Sequence, residues 1–197
     1  MSLAATKDEK LLRAFGKGRH DAFEELVRRY GGPIKGYALR LLRNAELAEE
    51  VYVDTFERVA RFGAKKWDQR GTVKSWLFTI AHNRCIDLLR AQRRAHDANP
   101  DVVALERTRY FTPNPEAEAA LGELTEHLET AIQSLSDDHR QVLLLRTIHG
   151  LSSKEVAEIV GLDESQVRSQ LSYARKCLRA ELKRFIEPQP QRKQGGR

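Results

Sequence analysis

Residues 151–178, LSSKEVAEIVGLDESQVRSQLSYARKCL, constrain the fold most, because they spell a helix, a tight turn and a second, basic helix. Ser152 and Glu155 have the spacing of a capping box, in which side chains and backbone N–H groups pair reciprocally at a helix start. Gly161 stands where a helix end favours a left-handed residue, and Asp163 can cap the helix that follows. This pattern is typical of a helix-turn-helix that reads duplex DNA.

The second helix of this motif has one apolar stripe and one polar, basic face. Its apolar residues recur at intervals of four, three and four, which places them on a single side of a helix. They are Val167, Leu171, Ala174 and Leu178. A plain helical hairpin with a solvated outer face would carry the same stripe, so the motif alone leaves that alternative open.

The charge of the chain is unevenly distributed. The formal net charge is +6, and residues 164–197 hold nine Lys or Arg against three acids. Residues 58–94 hold ten against two, whereas residues 46–57 hold five acids and no base. We therefore expect basic surfaces suited to nucleic-acid phosphates and one acidic surface suited to a different partner.

Two further observations bear on where the chain works. It has no run of about 18 apolar residues and no signal-peptide core at its start, so we expect no membrane insertion and a cytoplasmic protein. Cys85 and Cys177 lie far apart on helical patterns, which favours reduced core residues over a disulfide.

Helical periodicity runs along two stretches, and no β-alternation interrupts it. The sequence therefore predicts an all-α fold of two small helical domains joined by a flexible linker. We assign residues 1–93 to the first domain, 94–119 to the linker, 120–186 to the second domain and 187–197 to a disordered tail. Gly31-Gly32-Pro33 is expected to break a helix. The predicted helices are 8–17, 21–30, 33–43, 45–61, 72–93, 116–134, 137–148, 153–160 and 164–185.

The length of the linker has a geometric consequence. The stretch from 94 to 116 within it has 23 residues and spans at most roughly 80 Å when fully extended. This is around two turns of B-DNA at ~34 Å per turn. Two domains joined in this way can contact one duplex at sites two turns apart, although an ordinary tether would have the same reach.

Three motifs of the first domain, taken with the helix-turn-helix, resemble a known family. They read EVYVDTF at 50–56, WDQRG at 67–71 and WLFTIAHNRCIDLLR at 76–90. These motifs resemble region 2 of bacterial sigma factors, above all the extracytoplasmic-function (ECF) class. Residues from Leu135 onward, with RQVLLL at 140–145, are similar to sigma region 4. The resemblance covers roughly residues 8–94 and 120–184.

This resemblance implies an alternative sigma factor. Such a protein binds core RNA polymerase and directs transcription initiation at specific promoters, with no cofactor and no metal of its own. Region 2 would bind the polymerase and melt the −10 element, and region 4 would read the −35 element. Family members are often inhibited by an anti-sigma factor, and the long linker and lack of a sensory domain favour such a partner here.

The resemblance also implies three sets of site residues. The acidic helix that meets the polymerase would use Glu46, Glu50, Val53, Asp54 and Glu57. A flipped base of the −10 strand needs a pocket wall, polar groups and cations, for which the candidates are Trp67, Gln69, Arg70, Lys74 and Asn83. The −35 element would be read by Arg168, Ser169, Ser172, Tyr173, Arg175 and Lys176.

Val53 departs from the family, which usually has a glutamine at this position. The helix also has an alternative interpretation, since a solvated acidic face would leave Val51, Thr55 and Val59 packed inward in the same way. Trp67 likewise has a second interpretation as a core residue, and Trp76 is expected in the core.

An enzyme is not expected. The six histidines form no H-x-H or H-E-x-x-H ligand set, and the chain has neither a G-x-S-x-G nor a Walker-type loop. Two other functions stay open. A stand-alone helix-turn-helix regulator would bind duplex DNA tightly by itself, and a pure interaction protein would bind DNA weakly and without sequence preference.

Overall fold

A computed structural model describes residues 3–67, 71–98 and 119–186, and helices make up nearly all of these residues. Within these ranges no strand occurs, which agrees with the predicted all-α class. A 3-10 turn, Leu3–Ala5, precedes the first helix, and a π-helical turn, Leu144–Ile148, follows the sixth. The helices are α1 Asp8–Gly16, α2 His20–Leu42, α3 Ala45–Lys66, α4 Val73–Ala98, α5 Ala119–Ser134, α6 Asp137–Leu143, α7 Ser153–Val160 and α8 Glu164–Ile186.

The predicted break at Gly31-Gly32-Pro33 is wrong, because α2 continues through all three residues. Pro33 removes one backbone donor from the helix, but the flanking segment is held by tertiary packing. Ile34 is fully buried, and so is Tyr37 one turn later. A Cβ atom at Gly31 would lie only 3.0 Å from the Tyr52 ring. The glycine therefore allows α3 to pack closely against α2.

The first domain is a bundle of α1 to α4 around one apolar core. Leu11, Leu26, Val51 and Leu77, one from each helix, are fully buried. α4 ends at Ala98, five residues beyond the predicted end of this domain. The remainder of the predicted linker up to residue 118 and the predicted tail at 187–197 lie outside the described residues.

The second domain is organised around a buried arginine. Arg140, 2% exposed, donates from Nε to the Ile132 carbonyl at 3.2 Å and from Nη2 to the Gln133 carbonyl at 3.0 Å. Its Nη1 lies 2.9 Å from Asp137 Oδ1. The carbonyls at the end of α5 have no partner within the helix. A buried guanidinium with five donors satisfies them and joins α5 to α6.

The predicted helix-turn-helix is confirmed in its local chemistry. The Glu155 backbone N–H donates to Ser152 Oγ at 3.2 Å, and the Ser152 N–H donates to Glu155 Oε2 at 2.8 Å. Gly161 has φ 71°, in the left-handed region expected there. Asp163 Oδ1 accepts from the Gln166 N–H at 2.8 Å and so caps α8. The predicted stripe packs inward: Val167, Leu171 and Ala174 are buried, and Leu178 packs partly against them.

The two domains contact one another directly. α7 packs against α4, and α6 approaches α2. Arg40 Nε on α2 donates to Glu129 Oε1 on α5 at 2.8 Å. Arg93 near the end of α4 pairs with Asp137 at 2.8 Å. The chain is thus two helical domains in a closed arrangement, a relationship that the sequence did not predict.

Candidate functional site

The first candidate surface is the acidic face of α3, formed by Glu46, Glu50, Val53, Asp54 and Glu57. The opposite side of the helix carries Val51, Thr55 and Val59, all fully buried as expected. That burial orients the acidic face outward. Val53 lies in the centre of the acidic face and is 50% exposed, so this surface combines carboxylates with one apolar side chain.

Arg84 of α4 holds two of these carboxylates. Its Nε lies 2.6 Å from Asp54 Oδ2, and its Nη2 donates to Glu50 Oε1. The Arg84 side chain is 27% exposed, so the three groups form a half-buried cluster that ties α3 to α4. Sequence reasoning missed this arginine as part of the surface, since 30 residues separate it from Asp54. The only signal was its place in the AHNR stretch of the region 2 motif.

The remaining carboxylates of the acidic face, those of Glu46 and Glu57, are more exposed to solvent than Glu50 and Asp54. Glu57 pairs with Arg61 on the same helix at 2.5 Å, with side chains 47% and 67% exposed. Glu46 is exposed in the first turn of α3. Exposed pairs of this kind contribute about 0.3–0.5 kcal/mol to stability. These two residues are therefore available to a partner at little cost to the fold.

The second candidate surface, the start of α4, brings together only part of the predicted −10 set. Gln69 and Arg70 lie outside the described residues. Trp67 is 9% exposed within the core of the first domain, and its Nε1 has no hydrogen-bond partner among the residues described. Lys74 is half-buried and Asn83 is exposed. Asn83 follows Lys74 by nine residues, which corresponds to about 14 Å along the helix axis and about two and a half turns. The two side chains therefore lie on opposite sides of α4.

The start of α4 has a capping arrangement that the sequence analysis did not single out. Thr72 Oγ1 accepts from the Ser75 N–H at 3.1 Å, and Ser75 Oγ accepts from the Thr72 N–H at 3.1 Å. The Thr72 hydroxyl also donates to Glu155 Oε1 of α7 at 2.7 Å. Burial opposes ionisation of Glu155, but hydrogen bonds from the Ser152 backbone and from Thr72 outweigh it and lower its pKa. The loop before α4 thus touches the helix-turn-helix.

The third candidate surface is the outer face of α8, and here the whole predicted set lies together. The six side chains fall on adjacent rows of one helix face, since they follow spacings of three and four. All six are exposed: Arg168, Ser169, Ser172, Tyr173, Arg175 and Lys176. Arg168 Nη1 lies 3.5 Å from Glu164 Oε2, and the Tyr173 ring packs on the His139 ring with centroids 4.4 Å apart. This face therefore presents cations and hydroxyls on one side of a helix, and a helix is an element that the major groove of B-DNA admits.

Two histidines and one cysteine outside these three surfaces are buried. Burial lowers the pKa of His82 to about 4, and burial together with Lys74 and Arg40 lowers the pKa of His149 to about 4. Burial raises the pKa of the Cys85 thiol to about 12. Cys85 and Cys177 are both free thiols. In the part of the chain that the structure describes, no group of three or more His, Cys, Asp or Glu could hold a metal.

Comparison with known proteins decides between the open functions. The Sigma-70 region 2 family matches residues 26–95, and the Sigma-70 region 4 family matches residues 125–178. RNA polymerase sigma factor CarQ of Myxococcus xanthus is 30% identical over 157 residues, which are 80% of this chain and 87% of CarQ. The chain belongs to the sigma factors of bacterial RNA polymerase. This sigma factor is also 34% identical to ECF sigma factor SigL of Mycobacterium tuberculosis, over 74% of its own length and 80% of SigL.

Solved structures agree with the ECF fold. The sigma factor RpoE of Bartonella quintana, solved with the anti-sigma factor NepR, superposes with a TM-score of 0.70 at 24% identity, over 82% of this chain and 96% of RpoE. CnrH, solved with the cytosolic domain of CnrY, superposes with a TM-score of 0.64 at 24% identity, over 89% of this chain and 97% of CnrH.

Membership of the ECF class establishes the overall function of the protein. It is an alternative sigma factor that directs transcription initiation, and sigma factors are non-enzymatic transcription factors. A stand-alone regulator receives no support, because both sigma regions match in one chain. None of the described helices is long and apolar enough to cross a membrane.

Proposed function

We propose that three surfaces divide the work of this sigma factor. The acidic face of α3 binds core RNA polymerase. The start of α4, with the loop before it, captures the melted −10 strand. The outer face of α8 reads the −35 element. The observation that carries the proposal is the separation of charge, with exposed carboxylates on α3 and exposed cations and hydroxyls on α8.

Support for polymerase binding comes from the shape of the acidic face. Carboxylates along one side of a helix attract a basic partner over several ångströms and speed association. Val53, half exposed among them, supplies the apolar contact that a docking interface requires at its centre. The pairing of Glu50 and Asp54 with Arg84 holds these two carboxylates in place before the partner arrives.

Support for −10 melting comes from energetics and charge. Extruding a base costs a few kcal/mol of unstacking energy. With no hydrolysis motif in the sequence, binding energy within the polymerase complex has to supply this cost. Lys74 and the aromatic Trp67 flank Gln69 and Arg70 in the sequence. Because the Trp67 indole is buried, we propose that it acts as a core residue that holds the end of α3 in place.

Support for −35 recognition comes from the exposure of α8. An arginine that donates two hydrogen bonds to a guanine contributes about 1–3 kcal/mol of discrimination. Arg168 lies one turn into the helix, where recognition helices contact base edges. Arg175 and Lys176 lie two turns further along, where contacts to phosphate add affinity and salt dependence without sequence information.

We also propose an anti-sigma partner for this chain. RpoE and CnrH were each solved with a protein partner, NepR and CnrY respectively. Affinity purification of this sigma factor from its source cell is expected to recover a stoichiometric inhibitor under at least one growth condition. Recovery of none under any growth condition would contradict the proposal.

Size-exclusion chromatography with sigma-free core polymerase tests the polymerase surface. The wild-type protein is expected to elute with the core in a one-to-one complex. The E50A/D54A variant leaves Arg84 unpaired, so a loss of binding there could arise from the fold. E46A/E57A removes two exposed carboxylates without this defect, and it is expected to weaken the complex at least fivefold. E24A/E158A, which removes two exposed acids elsewhere, is the matched control and should bind as the wild type does.

A further inference from the structure

The tyrosine on the outer face of α8 is held in place in the free chain. The Tyr173 ring packs on the ring of His139 in α6, with centroids 4.4 Å apart and the two ring planes 31° from parallel. Tyr173 is nevertheless 54% exposed, so the stack covers only part of its side chain. The rest of the ring is open to a ligand that approaches α8 from outside.

A second contact restrains the far end of the same side chain. The Tyr173 hydroxyl forms a hydrogen bond with the Cys177 thiol, one turn further along α8, and this bond raises the pKa of Tyr173. Because the bond engages the hydroxyl, the part of Tyr173 that is left for a ligand is mostly apolar ring. This distinguishes Tyr173 from the arginines and serines around it, which offer polar groups.

His139 is itself oriented by a serine at the start of α6. Ser136 Oγ and His139 Nδ1 share a hydrogen bond at 2.6 Å. Ser136 is the N-cap residue of α6, where a serine side chain usually accepts from a backbone N–H, yet here it makes no such bond. Ser152 and Glu155, at the same spacing in this domain, form a complete capping box. The Ser136 hydroxyl therefore orients the imidazole instead of capping its helix.

The packing of α6 and α8 in the second domain does not depend on this stack. Arg140, the residue after His139, is buried and joins α6 to the end of α5. On the other side, Val167, Leu171 and Ala174 are buried and hold α8 in the domain core. Since these buried side chains already fix both helices, the exposed stack has another use available to it, which is to orient Tyr173.

We propose that His139 is a positioning residue for −35 recognition: its ring holds Tyr173 in one orientation on α8, and the open part of the tyrosine ring contacts a thymine methyl group in the major groove. Apolar side chains are the groups that contact this methyl. A side chain that is oriented in advance loses less freedom on binding, which increases affinity. The inference rests on the proposed −35 role of α8, and it names the base that one residue of that surface reads.

Binding of the holoenzyme to promoter duplexes tests the inference. Each thymine of the −35 element is replaced in turn by deoxyuridine, which lacks only the methyl group. At one position the wild type is expected to bind the thymine duplex about fourfold more tightly, as the burial of one methyl-sized group implies. Y173A should bind both duplexes equally at that position. R175A, which removes a proposed phosphate contact, should weaken binding to both duplexes alike and keep the preference.

Two variants of His139 separate the effect of its ring from that of its hydrogen bond. H139F keeps an aromatic ring against Tyr173 but has no nitrogen for Ser136, and it should retain the preference for thymine. H139Q keeps a polar group for Ser136 but has no ring, and it should lose the preference. A role limited to the start of α6 predicts the reverse order. Circular dichroism verifies that each variant is folded.

The same binding data contain the results that would overturn the inference. A folded H139Q with the wild-type preference would show that the ring does not orient Tyr173. Loss of the preference in folded H139F would show that the imidazole acts through its nitrogens and not as a stacking surface. A wild type that reads the −35 element but has no preference for thymine at any position would show that Tyr173 does not contact a methyl group.

Nuclear magnetic resonance of the free wild-type chain adds a measurement that needs no variant. Nuclear Overhauser contacts between the ring protons of His139 and Tyr173 are expected, and their absence would also overturn the inference. Failure of the proposed −35 surface is distinguishable from these results. In that case the wild-type holoenzyme would bind a promoter with a scrambled −35 element as tightly as the intact promoter, while the contacts between the two rings would still be observed.

Discussion

Arg84 Nε lies 2.6 Å from Asp54 Oδ2, and the same guanidinium also donates to Glu50. Part of the acidic face is therefore an internal structural contact between α3 and α4. Because the cluster is half-buried, we expect a coupling energy of about 0.5–1 kcal/mol between Arg84 and Asp54 in a double-mutant cycle, measured by urea unfolding. The exposed pair of Glu57 and Arg61 is the control and should couple by less. Equal coupling in the two cycles would contradict the assignment.

Adjacent glycines of α2 are expected to respond oppositely to alanine. G31A places a Cβ atom 3.0 Å from the Tyr52 ring, so the ring has to move, and we expect a loss of about 1 kcal/mol. No atom lies within 4 Å of a Cβ at Gly32, and G32A should stabilise the helix by about 0.5–1 kcal/mol. Thermal unfolding of the two variants measures both effects. Stabilisation by G31A would show that α3 does not pack tightly on α2.

Local patterns predicted local structure well. The Ser152–Glu155 box, the turn at Gly161 and the inward stripe of α8 depend on residues close in sequence, and all are confirmed. The continuity of α2 could not be predicted in this way, since Gly31 and Pro33 weaken a helix locally and packing against α3 restores it. Arg84 lies 30 positions from Asp54, and the contacts between the domains join residues as far apart as Tyr37 and His149, so no rule based on sequence spacing could have predicted them. The DNA roles of Gln69 and Arg70, which lie outside the described residues, stay a prediction.

Acid should weaken the fold through two buried histidines. The pKa values of His82 and His149 are lowered to about 4, below the ordinary value of 6.5. Between these two pH values the unfolded chain therefore binds more protons than the folded chain. The contribution of the neutral histidines to the free energy of unfolding is fully present above pH 6.5, and it is lost as the pH falls from 6.5 to 4. The expected loss is on the order of 1–3 kcal/mol for each histidine.

Urea unfolding of the wild type and of H149F across that pH range measures the effect. H149F keeps an aromatic ring against Phe78 and Tyr37 but cannot be protonated, so its stability should fall less steeply with acid. Parallel curves for the two proteins would contradict a neutral, buried His149.

Changes on α8 should separate sequence reading from phosphate binding. R168A is expected to cost about 1–3 kcal/mol of discrimination between a promoter and a promoter altered at one −35 position. R175A should instead weaken binding to both sequences equally and lower the slope of log K against log salt by about 1. Equilibrium binding of the holoenzyme to the two DNAs at several salt concentrations measures both. Equal effects of the two variants on discrimination would contradict the assigned roles.

The most direct measurement of sigma activity is run-off transcription by core polymerase on fragmented DNA of the source genome, with and without this protein, followed by mapping of transcript 5′ ends. The protein is expected to create start sites that core polymerase alone does not use, and these sites should share two upstream motifs about two helical turns apart. The E46A/E57A variant should reduce every one of them together. A map identical to that of core polymerase alone would contradict the account.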